Sequence, residues 1–263
     1  MSDDAILVSI DPRGAATLTL NRPEVHNAFD DLLIRGFTRK LAELDADNSV
    51  RVVVLAARGK SFSAGADLNW MRRMSEYPET ENREDARRLA ALMQTLYRLR
   101  KPTVARIQGA AFGGGVGLIA CCDVAVAAAG ATFSLSEVKL GLVPAVISPY
   151  VVRAMGERHA RRYMLTAERF DAAEALRTGL IHEVVDAGAL VARVDALVTQ
   201  LLGNGAHAMA AVKSLIERVS GGAIDEAMVE ETAIRIASVR ASAEGRQGVA
   251  AFLEKRPPAW RKD

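Results

Sequence analysis

Residues 109–117 read GAAFGGGVG, and the glycine run Gly113-Gly114-Gly115 leads straight into the apolar stretch Val116-Gly117-Leu118-Ile119-Ala120. That pattern marks a loop turning into a helix. The first N–H groups of a helix have no intrahelical partner and carry partial positive charge, so a helix start attracts anionic oxygen. Glycine there lets another group approach the backbone closely. A second small-residue turn, Ser63-Ala64-Gly65-Ala66, offers further N–H groups, and Glu137 follows twenty positions after Gly117. Two N–H groups aimed at one oxygen form an oxyanion hole, and a carboxylate beside them can move protons. These residues point to chemistry next to a carbonyl.

Working outward, Ile6-Leu7-Val8-Ser9-Ile10 and Ala16-Thr17-Leu18-Thr19-Leu20 flank Asp11 to Gly14 and read as a hairpin. Leu32 to Leu44 has helical spacing, and Arg51-Val52-Val53-Val54-Leu55 reads as a strand covered on both faces. Asp85 to Arg98 predicts an amphipathic helix, Thr103 to Gln108 a strand, and Val116 to Cys122 a helix. Val124-Ala125-Val126-Ala127 and Thr132-Phe133-Ser134 suggest short strands. Alternating strand and helix predicts an α/β fold. From Leu190 onward the strand signals stop, so the chain divides into an α/β core over 1–189 and a helical region over 190–263.

Composition narrows the function. Of 263 residues, 50% are hydrophobic and 25% charged, as in ordinary globular proteins. A net charge of +2 gives no support for a nucleic-acid or membrane partner. No stretch approaches the roughly 20 apolar residues of a membrane helix. Cys121 and Cys122, adjacent in an apolar run, read as buried free thiols, which fits a reducing cytoplasm. The acidic start MSDDAILVSI is unlike a targeting segment.

Competing motifs fail on their spacing. A dinucleotide fingerprint needs a third glycine where Leu118 stands. Arg58-Gly59-Lys60-Ser61 imitates a phosphate-binding loop, but Val54 occupies the place of its first glycine. His26, His159, His182 and His207 are scattered without ligand spacing, so no metal is expected. The run Arg158-His159-Ala160-Arg161-Arg162 reads as a solvated helix face. Arg83, Arg87 and Arg88 are interleaved with Glu79, Glu81, Glu84 and Asp85, which weighs against RNA binding. Trp70 and Met71 suit an acyl pocket or the core equally. Taken alone, Glu137 reads as a solvated loop charge.

Several short motifs in consistent order change that last reading. Leu20-Asn21-Arg22-Pro23 with Asn27-Ala28, the SFSAGADL stretch over 61–68, Lys101-Pro102 before the glycines, Cys122-Asp123, and FSLSEVKLGLVP containing Glu137 run from end to end of the chain. The chain resembles the crotonase (enoyl-CoA hydratase/isomerase) superfamily. Asp67-Leu68-Asn69-Trp70-Met71 and Ala145-Val146-Ile147-Ser148-Pro149 are most similar to methylglutaconyl-CoA hydratases and carboxygeranoyl-type hydratases. The resemblance implies a spiral of ββα units and C-terminal helices that build a homotrimer, often paired into a hexamer. It implies an enoyl-CoA hydratase acting on a branched, carboxylated acyl group such as 3-methylglutaconyl-CoA, in leucine or acyclic-terpene breakdown. Coenzyme A is then part of the substrate, and no separate cofactor is expected. By position, Glu137 would be the acid/base and the N–H groups of Ala66 and Gly114 the oxyanion donors. The backbone from Ser63 through Ala64 to Ala66 would meet the adenine, pantetheine would run near Val25 and Leu68, and Asp67 would be a further substrate-binding position. Phe252, Lys255 and Arg256 would lie toward the CoA phosphates, or in a solvated tail.

One departure stands out. Familiar hydratases of this superfamily carry two glutamates, and the first falls here on Gly117. A glycine there would relieve repulsion against an anionic acyl group and leave it space, making Gly117 a substrate-binding position. One glutamate also suffices for a double-bond isomerase. Thioester hydrolysis, decarboxylation and a non-catalytic RNA-binding role remain as alternatives.

Overall fold

The computed structural model describes residues 5–261. Residues 1–4, which carry the acidic start read above, lie outside the described residues, as do 262–263. In chain order the elements are β1 (Ile6–Ile10), β2 (Ala15–Leu20), α1 (Asp31–Ala46), β3 (Val52–Ala57), β4 (Ser61–Ser63), α2 (Leu68–Met74), α3 (Glu79–Tyr97), β5 (Thr103–Ile107), β6 (Ala110–Phe112), α4 (Gly114–Cys121), β7 (Val124–Ala128), β8 (Thr132–Ser134), α5 (Ser148–Thr166), β9 (Phe170–Asp171), α6 (Ala172–Arg177) and β10 (Glu183–Val185). Four helices close the chain: α7 (Leu190–Leu202), α8 (Ala206–Val219), α9 (Glu226–Ala241) and α10 (Ala243–Leu253).

Two sheets arise from a repeated step. One has the order β1-β2-β3-β5-β7-β10, the other β4-β6-β8-β9. Each of β3, β5 and β7 is followed by a short strand of the second sheet and then by helix, so successive ββα turns stack side by side. The pairings β3–β5, β5–β7, β4–β6 and β6–β8 are all parallel. This is the ββα spiral of the crotonase fold. The β1–β2 pair is the antiparallel hairpin that the alternation predicts.

The core explains the apolar strands. Leu18, Val53, Leu55, Ala105 and Ile107 turn to one face, against Phe37, Leu41, Leu92, Met93 and Leu118. Val52, Val54, Val104 and Val126 turn to the other face and meet Leu190, Val194, Val198 and Leu202. Helix α7, placed in the helical region by sequence, therefore roofs the sheet and belongs with the core. The reason is its spacing: Leu190, Val194, Val198 and Leu202 form one stripe at every fourth residue, which the valine face requires. The looser helical region begins at α8, which buries no residue, and α9 and α10 bury only Met228 and Ala251. Among the described residues no helix is long and apolar enough to cross a membrane.

Candidate active site

The glycine run sits where β6 ends and α4 begins. Gly113 adopts φ 48°, ψ −116°, a conformation that glycine tolerates and side chains resist, and it caps α4. Its own N–H donates to Ser134 O at 2.9 Å, while Val116 N and Gly117 N donate to Gly113 O. The N–H of Gly114 makes no hydrogen bond among the described residues. That helix start also has no room for a side chain, since a Cβ on Gly114 would stand 2.6 Å from Cε2 of Phe29.

Phe29 organises the second turn as well. Phe29 N donates to Gly65 O and Asp67 N to Phe29 O, both at 2.7 Å. In this parallel bridge the partners are the residues flanking Ala66, so the N–H of Ala66 points to the opposite side and stays unbonded among the described residues. One residue thus holds Ala66 by its backbone and Gly114 by its ring. Nothing in the sequence reading singled out Phe29. The available signal was an aromatic residue directly after Asn27-Ala28 and before the α1 N-cap Asp30.

The Asn21-Arg22-Pro23 and Asn27 motif is scaffolding beneath this turn. Asn27, fully buried and at φ 54°, accepts from Arg22 N and donates to Arg58 O and Ser61 O. Ser63 Oγ donates to Asn27 O and accepts from Gly65 N, and Ala64 N donates to His26 O. Ser63 therefore shapes the turn with its side chain, and its buried hydroxyl is already spent. Asp67 is likewise occupied: its carboxylate caps α2 by accepting from Asn69 N and Trp70 N, and pairs with Arg22 at 3.1 Å. Val25 ends the short 3-10 turn Pro23–Val25 and is half-buried, whereas Leu68 is 77% exposed beside the turn.

Glu137 opens another 3-10 turn, Glu137–Leu140, closed by Gly141 in the left-handed region. Its Oε1 lies 3.0 Å from the position of a Cβ on Gly113. Its Oε2 is buried with no hydrogen-bond partner. Burial pushes this carboxyl above the usual carboxylate range. A carboxylate with one oxygen unpartnered, close to an unbonded helix-start N–H, is suited to exchange protons with a bound group. The solvated-loop reading of Glu137 gives way to a half-buried residue with one carboxyl oxygen fully covered.

Gly117 does not open space. A Cβ there would overlap Cγ2 of Ile147 and stand 2.8 Å from its Cβ and 3.3 Å from Met93 Cε. The place of a second glutamate is filled by hydrocarbon, so the expected room for an anionic acyl group at Gly117 is absent. Sequence cannot see this, because Ile147 lies thirty positions downstream.

The remaining residues raised by the sequence are placed as follows. Trp70 is buried in the core and Met71 half-buried. His26, His159 and His182 bond Ser61 Oγ, Met155 O and Ala125 N. No cluster of metal-binding side chains occurs among the described residues. Arg83, Arg87 and Arg88 pair with Glu79, Glu84 and Asp85 on their own helix. Phe252 is 82% exposed, and Arg256 pairs with Glu254. The cleft between the β1–β2 turn and the end of α7, lined by Arg13, Arg51, Thr199 and Trp260, shares no residue with the glycine turn.

Known proteins share this fold. The family model for enoyl-CoA hydratase/isomerase matches residues 11–263. A crystal structure of an enoyl-CoA hydratase from Shewanella pealeana superposes with a TM-score of 0.95 at 47% identity, covering 97% of this chain and 96% of its own. An enoyl-CoA hydratase from Mycobacterium smegmatis gives 0.92 at 34% identity, over 98% and 99%. The enoyl-CoA hydratase ACTT6 of Alternaria alternata is 36% identical over 244 residues, which is 91% of this chain and 78% of that protein. The chain belongs to the enoyl-CoA hydratase/isomerase family.

Proposed function

We propose that the protein is an enoyl-CoA hydratase that adds water to a 2-enoyl-CoA thioester, with Glu137 as its acid/base. An acyl-CoA substrate follows from the family. The observation that carries the reading is the carboxyl of Glu137, whose Oε1 lies against Gly113 while its buried Oε2 has no hydrogen-bond partner. In the step envisaged, Glu137 takes a proton from water as the water oxygen bonds to C3. Electron density moves to the thioester oxygen, which accepts hydrogen bonds from the N–H groups of Ala66 and Gly114. Protonated Glu137 then returns a proton to C2, so one carboxylate completes the cycle. Preorganised donors of this kind are each worth on the order of 3 kcal/mol of barrier. Adenine would meet the backbone of residues 63–66, and pantetheine would run past Val25 and exposed Leu68.

The substrate we favour is a branched, carboxylated acyl group such as 3-methylglutaconyl-CoA, in leucine or acyclic-terpene breakdown. Support comes from the Asp67-Leu68-Asn69-Trp70-Met71 and Ala145-Val146-Ile147-Ser148-Pro149 stretches, and the acyl carboxylate is to be sought away from Gly117. A trimer or dimer of trimers is supported by exposed Val229 and Ile234 on α9 and Phe252 and Leu253 on α10. The free, buried Cys121 and Cys122 support a cytoplasmic setting.

A second reading is a double-bond isomerase, favoured by the hydrocarbon over Gly117, which leaves Glu137 without a partner carboxylate. One assay separates the two. Hydration removes the ultraviolet absorbance of a conjugated 2-enoyl thioester, whereas isomerisation of a 3-enoyl thioester creates it. Loss of absorbance from a panel of 2-enoyl-CoA esters, greatest with a distal carboxylate, is the result expected. Turnover of 3-enoyl esters alone would replace the proposal with the isomerase.

A further inference from the structure

Gly113, the cap of α4, and Gly117, whose N–H donates to the Gly113 carbonyl at 3.2 Å, lie one turn apart, so they border one surface and neither brings a side chain to it. The chain lays two residues over it: Glu137 over Gly113 and Ile147 over Gly117. Ile147 is buried and fixed at the start of α5, where Tyr150 N and Val151 N both donate to its carbonyl at 3.1 Å. Its backbone is held there, and its side chain lies directly over Gly117, an apolar wall one turn along from the glycine that Glu137 covers.

We propose that Ile147 is a specificity-determining residue of this site: it closes the position beyond Glu137, so that Glu137 acts as the sole carboxylate. On this view Gly117 and Ile147 form a complementary pair. An acid at 117 and a branched side chain at 147 exclude each other, and an acyl group passing Glu137 at this point meets methyl groups. The specificity role rests on Glu137 being the acid/base proposed above; the steric pairing does not.

A cycle of Gly117→Glu, Ile147→Ala and the double variant tests both parts. Gly117→Glu alone should melt well below the parent, because its Cβ strikes Ile147. Ile147→Ala should fold, and it is the background against which the double variant is read. The double variant should recover to the melting temperature of Ile147→Ala or above, a clear non-additivity. It should also hydrate crotonyl-CoA roughly tenfold or more faster than Ile147→Ala alone. Its kcat/KM profile should gain a second ionisation, because two neighbouring carboxylates titrate as a pair. Should Gly117→Glu fail to fold, Gly117→Ala in the same cycle reads the same collision. A Gly117→Glu protein that melts with the parent, or penalties that simply add, would overturn the pairing. Recovery of melting with an unchanged pH profile and unchanged hydration would overturn the specificity role. A non-additive melting cycle in a parent that turns over neither 2-enoyl nor 3-enoyl esters would leave the pairing standing and remove the reaction reading with the specificity role.

Discussion

Oε1 of Glu137 rests 3.0 Å from the point where a Cβ on Gly113 would stand, so the carboxylate meets the helix start at a residue that offers no side chain. Burial raises its proton affinity. As a base it must first ionise, so kcat/KM should climb with pH along a limb lying above the ordinary carboxylate range of about 4.3. Glu137→Gln should lower turnover by roughly 10²- to 10⁴-fold while CoA-ester affinity is kept. Activity within about threefold of the parent would place the proton chemistry elsewhere.

The same shift has a sign for stability. A carboxyl whose folded pKa lies above its unfolded one contributes stability at low pH and loses it as pH rises through the folded value. Glu137→Gln does not ionise. Its melting temperature should therefore gain on the parent between acid and neutral pH, a trend that paired melts across pH would measure. A constant difference would mean that the carboxyl is not destabilised by burial.

Gly114→Pro would remove an N–H and strike Phe29 at once, so the two effects need separating. In a Phe29→Leu background, Gly114→Ala retains the donor and should turn over within about threefold of Phe29→Leu. Gly114→Pro in that background should lose on the order of 10²-fold. Circular dichroism must show both folded. Equal turnover by the two would remove Gly114 from the oxyanion site.

Asp67 and Leu68 are neighbours with different work. Asp67→Ala removes an α2 cap and a partner of Arg22, and should lower stability by about 1–2 kcal/mol. Leu68→Ala, at an exposed position, should change stability by less than about 0.5 kcal/mol. If Leu68 meets the pantetheine, its loss appears in KM rather than kcat. Urea melts and steady-state kinetics on the two variants check this.

Cys121 and Cys122 should resist thiol reagents until the protein unfolds. Burial raises both thiols, that of Cys122 to about 12, so thiolate is scarce at neutral pH. Labelling with a chromogenic disulfide should show no fast phase in buffer and two thiols in denaturant. Prompt labelling of either one would contradict its burial.

Much of this was legible because the signals are local. The valines of β3, the glycines at 113–115 and the apolar start of α4 each declare themselves within a few residues, and the register of motifs singled out Glu137 as a candidate. What escaped was set by contacts distant in sequence. β4, β6 and β9 have two or three residues, too few to show a period. Phe29 acts through a backbone bridge to Ala66 and a ring over Gly114, and neither leaves a pattern. Ile147 fills the Gly117 position from another turn of the spiral. The role of α7 as a roof was hidden because an amphipathic helix does not say which surface it will cover.

That roof has a consequence for the order in which the chain is made. Val52, Val54 and Val104 leave the ribosome long before Leu190, Val194, Val198 and Leu202, their only helical cover in the second cluster. Throughout that interval the nascent protein carries a bare valine sheet, the kind of surface that sticks to other unfinished chains. Arg51, which holds the carbonyls of Asn204 and Trp260, has to wait longer still for its partners. A polypeptide released before residue 203 is thus sticky as well as incomplete, and a stop codon near α7 should send the product to aggregates or to chaperones.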